Sequence, residues 1–174
     1  MPYATPAQFH AKFGLTETTQ LLADEANTLT ELLLTDAIAV AAGGAWTGAP
    51  AQADKDTANA CLARLTDQLA TSASFMDGYL SGAVALPLSA GDAMAGVLRD
   101  CCLALARFGL ADDADNATER MAEADARWRT WLKDVQAGRA QLVSGAGAAV
   151  AGSGRIKTGQ ASSAYNWAGF GVVE

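Results

Sequence analysis

Between residues 57 and 80 the apolar positions Ala58, Cys61, Leu62, Leu65, Leu69, Met76, Tyr79 and Leu80 recur at three- and four-residue spacing. Arg64, Asp67, Gln68, Thr71 and Ser74 occupy the other side. An α-helix of 3.6 residues per turn gathers such positions into one stripe, so the pattern predicts an amphipathic helix. From about 91 to 110 the stripe is Met94, Val97, Leu98, Cys101, Cys102, Leu105 and Phe108, with Leu103 and Ala104 beside it. A helix apolar around most of its circumference belongs in the centre of a fold. Past residue 116 a third stripe holds Met121, Ala124, Trp128, Trp131, Leu132 and Val135. Its opposite face alternates Glu119, Arg120, Glu123, Arg127, Arg129, Lys133 and Asp134, the mixed row of a solvated surface.

Local signals predict where these and shorter helices begin and end. Thr5-Pro6-Ala7-Gln8 reads as a helix start: Thr5 is the N-cap, Pro6 sits where its missing N–H is harmless, and Gln8 closes a capping box. Gly14 stops that helix, whose Phe9 and Phe13 share one face, and a second short helix is expected over 16–23. Thr28 and Glu31 read as another capping box, followed by the stripe Leu29, Leu32, Leu33 and Ala37 that ends near Gly43-Gly44. Residues 43–56 hold glycine turns and Pro50 and read as a loop. Within it Trp46 is the candidate for a loop contact with a neighbouring surface, with folding onto its own domain the alternative. Ser81-Gly82 breaks the long helix, and Leu86 before Pro87 must be extended, making 84–88 a packed connector. Asn116 and Glu119 read as a third capping pair, and Gly138 as the left-handed end of the last helix.

Beyond Gly138 the composition shifts. Residues 142–159 are mainly Gly, Ala, Ser and Val, with Arg155 and Lys157 charged, and show no helical stripe. Such a segment packs no core of its own. The chain then closes with Tyr165, Trp167, Phe170, Val172 and Val173 spaced by small residues. A spacer ending in large apolar groups suits a docking arm, and Tyr165, Trp167, Phe170 and Val172 are its candidate contacts. A disordered tail, or a tail folded back on its own domain, is the alternative. The fold class read from these patterns is all-α: a small bundle of about four to six helices with an extended C-terminal arm.

The 174 residues, 51% hydrophobic, suffice for one domain and an arm. A formal charge of −7 with 12 scattered Lys and Arg residues argues against a surface that grips nucleic acid. No apolar run approaches a bilayer's thickness and no secretory pattern opens the chain, so no membrane association and assembly in the cytoplasm are expected. Cys61, Cys101 and Cys102 lack CxxC spacing and read as structural thiols. His10 has no nucleophile or carboxylate placed beside it, and one histidine without paired cysteines makes no zinc set. The acidic clusters 54–56 and 112–115 lack the ligand alternation of a calcium loop. Both are read as lying just before helix starts, where the helix dipole favours them. The tail glycines follow no strand and precede no helix, so they are not a phosphate loop. No catalytic residue, cofactor site or metal site is therefore expected, and the chain reads as a non-enzyme.

Three stretches carry a family resemblance. They are Tyr3-Ala4-Thr5-Pro6 through Phe13-Gly14; Asp77-Gly78-Tyr79-Leu80 followed by Ala85-Leu86-Pro87-Leu88; and Trp131-Leu132-Lys133-Asp134 leading to Gly138-Arg139-Ala140. In this order they resemble the phage-Mu-type neck family of virion proteins, over roughly residues 3–142. Two departures stand out. Residues 24–56 are longer than the family usually has, and Ala83-Val84 replace a basic residue and an aromatic. The resemblance implies a helical connector domain over 1–140, with 24–56 an insertion of helix and loop, and an arm over 141–174. It further implies a head-to-tail adaptor in the virion neck: a homo-oligomeric ring of about twelve copies between the portal protein and the head-closure (stopper) or tail-terminator protein. DNA would pass through without specific binding, and the arm residues would contact the portal or a neighbour. The runner-up reading is a cytosolic helical binding module that masks a partner protein through its apolar C-terminal arm.

Overall fold

Thr5 caps the first helix as its sequence predicts. Its hydroxyl accepts from the Gln8 N–H while the Gln8 side chain accepts from the Thr5 N–H, and Pro6 opens α1 (Pro6–Phe13). Gly14, at φ 86°, turns the chain straight into α2 (Leu15–Leu22). The computed structural model describes residues 3–23, 28–83, 94–113, 116–140 and 142. Four more helices follow: α3 (Glu31–Ala41), α4 (Gln52–Leu80), α5 (Ala95–Asp113) and α6 (Glu119–Gln136). Among the described residues all regular structure is helical, which bears out the all-α bundle. The connector 84–88, the start of the central helix at 91–93 and the arm candidates Tyr165, Trp167, Phe170 and Val172 lie outside the described residues.

The long stripe predicted over 57–80 is the spine of the bundle. Ala58, Cys61, Leu65, Leu69, Ala73, Met76 and Leu80 are buried along α4, whereas Leu62 and Tyr79, at the stripe's margin, are half-buried. α5 lies against it as the central helix: Leu98, Cys101, Cys102, Leu103, Leu105, Ala106, Leu110 and Ala111 are all buried. Val97, assigned to the main stripe, is instead exposed, and Leu103, placed beside it, is buried. α6 covers α4 and α5 with Met121, Leu132 and Val135, while Trp128 and Trp131 stack edge to face at 5.5 Å, half-buried against the core. α1 and α2 close the other side through Phe9, Leu21 and Leu22.

Several predicted helix starts move by two to five residues, each for a visible reason. The cap of α3 is Thr30, not Thr28: its hydroxyl accepts from the Leu33 N–H, and Glu31 instead accepts a hydrogen bond from Thr16. The cap of α6 is Thr118, not Asn116: Thr118 accepts from the Met121 N–H, and the Asn116 N–H closes the end of α5 on the Ala111 carbonyl at 2.7 Å. α4 starts at Gln52, so 52–56 are helix rather than loop, and Pro50 stands ahead of the first turn instead of within the helix. Asp54 and Asp56 thus lie inside the first turns of α4. Asp112 and Asp113 end α5, where the helix dipole does not favour them, so the dipole explanation fails for that cluster.

The glycine stops behave alike. Beyond α3, Gly43 (φ 92°) donates to Val40 O and Gly44 to Ala39 O. Beyond α6, Gly138 (φ 69°) donates to Val135 O and Arg139 to Asp134 O. Each is a Schellman closure, which needs a left-handed residue and so favours glycine.

Candidate functional site

Two of the stretches that carried the family resemblance meet at one joint. The Tyr3 hydroxyl donates to the Asp77 carboxylate, bringing the amino-terminal stretch onto the last turns of α4. Burial, then the bond to Asp77, pushes the Tyr3 hydroxyl well above the usual phenol range, so it stays a donor. Ala4 is buried beside it. The backbone N–H groups of Tyr3 and Ala4 point at the Cys102 thiol, which itself donates to the Leu69 carbonyl of α4. Burial raises the Cys101 thiol to about 12 and the Cys102 thiol to about 11. Thiols held this firmly protonated are poor nucleophiles and poor metal ligands.

On the α6 side of the joint, buried Asp125 accepts from Arg129 one turn later, and the Arg129 guanidinium lies 4.6 Å from the Phe75 ring centroid. The Asp125 bond keeps Arg129 charged, raising it further against the opposing cost of burial. Phe75 and Tyr79 stack with centroids 5.0 Å apart. The third motif closes on itself, Arg139 pairing with Asp134 across the Gly138 turn. The first stretch thus ties the residues ahead of α1 to α4 and α5, and Arg129 and Phe75, outside the three stretches, tie α6 to α4; these contacts hold the body's shape.

Two surface features remain. An open groove of about 830 Å³ runs between α2, α5 and the start of α6. Its Arg107 is already committed to Glu17 at 2.5 Å and to the Phe13 ring at 4.7 Å. The second feature is α3 with the loop after it. Asp36 is buried on α3 and accepts from both the Thr47 N–H and the Thr47 hydroxyl at 2.9 Å, which ties loop 42–51 down. Trp46, in that loop, is half-buried against the core of its own body. The Asp36 to Thr47 tie was not foreseen: an acidic residue within an apolar helix run was the signal for it. Leu32, expected on the core stripe, is 57% exposed, while Leu34 is fully buried in its place. The two leucines are equally apolar, and the packing of α3 on α4 sets which of them faces inward.

Among the described residues no group of three or more His, Cys, Asp and Glu side chains could hold a metal ion, and no helix is long and apolar enough to cross a membrane. No curated protein matches the chain. A family match does cover most of it. The match begins at Tyr3, as the motif resemblance does, takes in 24–56, and continues past Leu142, leaving Tyr165, Trp167, Phe170 and Val172 beyond its end. Over residues 3–158 the sequence fits the family described as "Bacteriophage Mu, Gp36", and the chain belongs to that family of phage structural and morphogenesis proteins.

Proposed function

We propose that this chain is a virion protein of the phage neck: a head-to-tail connector whose copies close a ring of about twelve. The ring would sit between the portal protein and the head-closure or tail-terminator protein. The observation that carries the reading is family membership over residues 3–158. The helical body is consistent with it. Its helices are tied together by contacts such as Tyr3 to Asp77 and Arg129 to Phe75, and a ring built head to tail needs a subunit whose two different faces stay in fixed relation. In this reading the chain is not an enzyme. Cys101 and Cys102 are held protonated, its most evident ion pairs brace helices, and function is geometry at a joint. The net charge of −7 suits a wall past which DNA slides without being held by phosphate contacts.

Electron cryo-microscopy of virions that carry the chain tests the proposal. A ring of this fold directly below the portal is the expected result. Density for it elsewhere in the particle, or its absence from the particle, would overturn the connector role.

A further inference from the structure

Apart from Glu31, Thr35 and Asp36, α3 is built of apolar residues, yet only Leu34, Asp36 and Ala37 of it are buried. Leu32 stands out into solvent; Thr35, Ala39 and Ala42 share its side at helical spacing and are exposed; Leu33, Ile38 and Val40 flank them half-buried. From residue 32 to 53 the sole ionisable side chain is Asp36, and its carboxylate is taken by Thr47. A surface helix normally turns a polar face to water. This one leaves an uncharged face whose apolar area gains by being covered.

The chain carries a segment of matching chemistry. Residues 159–174 hold no charge before Glu174 and include Tyr165, Trp167, Phe170, Val172 and Val173. Aromatic groups supply the area such a face buries, and no charge on either side has to be stripped of water. The exposed row of α6, with Arg120, Glu123, Arg127 and Lys133, offers no such match.

Direction favours a neighbour's α3 over the chain's own, and reach allows it. Leu142, the last described residue, is buried in the core just past α6. α6 meets α4 at Phe75, near the carboxyl end of α4, whereas loop 42–51 ties α3 to its amino end. α6 therefore carries the chain towards the end of the spine remote from its own α3. α4 is about 44 Å long at 1.5 Å per residue, and a spacer of roughly 20 residues extends to about 70 Å at most.

We propose that segment 159–174 docks, through Trp167 and Phe170, onto the α3 face of an adjacent copy, with Leu32 and Ala39 at the centre of the contact. The proposal rests on the ring reading and names the surface that joins one copy to the next.

The test uses the full chain with Trp167 replaced by the photoreactive p-benzoylphenylalanine. Unlabelled and nitrogen-15-labelled chains are mixed before assembly, irradiated, and mapped by mass spectrometry. Cross-links from position 167 into α3, joining one labelled and one unlabelled chain, are expected. Leu32→Glu with Ala39→Glu, both at exposed positions, should lower their yield about tenfold, equivalent to about 1.4 kcal/mol, with helicity and unfolding midpoint unchanged. Assembled rings whose cross-links map elsewhere, or stay within one chain, overturn the docking and leave the ring reading standing. A chain that remains monomeric by native mass spectrometry, alone and with its portal, overturns the ring reading itself.

Discussion

Asp36 shows how a single residue decides a surface. A carboxylate inside an apolar helix run is costly to bury unless bonded, and two bonds from Thr47 meet that need while holding down the loop that carries Trp46. Replacing Asp36 with Ala leaves the Thr47 N–H without its acceptor, and denaturant unfolding should show a loss of about 1–3 kcal/mol. The thiols give a second residue-scale prediction. Cys101 and Cys102 titrate from an ordinary 9.0 and are raised to about 12 and 11 in the folded protein. A raised folded pKa means their contribution to stability is fully present below about pH 9 and is lost as pH climbs towards 11–12. Thermal melts should therefore fall across that alkaline window, and Cys102→Ala should flatten the fall. At pH 8 a thiol reagent should modify neither residue until denaturant is added; rapid labelling of the native chain would contradict their burial.

At the scale of helices, the corrected caps separate two accounts of where α3 and α6 begin. Thr30→Ala and Thr118→Ala should each cost about 0.5–2 kcal/mol, as should Thr5→Ala. Thr28→Ala and Asn116→Ala should stay within about 0.5 kcal/mol, since neither side chain caps a helix. The reverse ranking in equilibrium unfolding would restore the sequence-based starts. Packing along the spine makes a similar contrast. Leu69→Ala or Met76→Ala, both buried between α4 and its neighbours, should cost about 2–5 kcal/mol. Leu32→Ala on the exposed side of α3 should cost almost nothing in stability.

At the scale of the whole molecule, Leu142 is the last member of the buried core among the described residues. Deleting 159–174 should leave helicity and the unfolding midpoint of the body unchanged while reducing its incorporation into particles. Particles that keep normal amounts of the truncated chain and join tails at normal yield would remove the arm from the assembly account. The joint between Tyr3 and Asp77 also belongs to this scale, because it fastens the first residues of the chain to the end of α4. Tyr3→Phe removes the hydroxyl and should loosen α1 relative to α4, seen as faster amide exchange across Pro6–Phe13.

What the sequence determined by itself was local and periodic. The stripe of α4, the all-round apolarity of α5, the Thr5 capping box and the Gly138 stop follow from spacing along one helix, where a residue's neighbours are three and four positions away. The resemblance also named Tyr3, Asp77 and Asp134 without giving a reason for them. Only the tertiary structure supplied that reason, because Tyr3 and Asp77 lie far apart in the chain and a bond between them leaves no periodic trace. The same limit explains the errors. Thr28 and Thr30 both precede Glu31 and look alike as caps, and choosing between them requires knowing which face of α3 meets α4. Leu32 and Leu34 are equally apolar, and only packing decided that Leu34 enters the core while Leu32 stays outside.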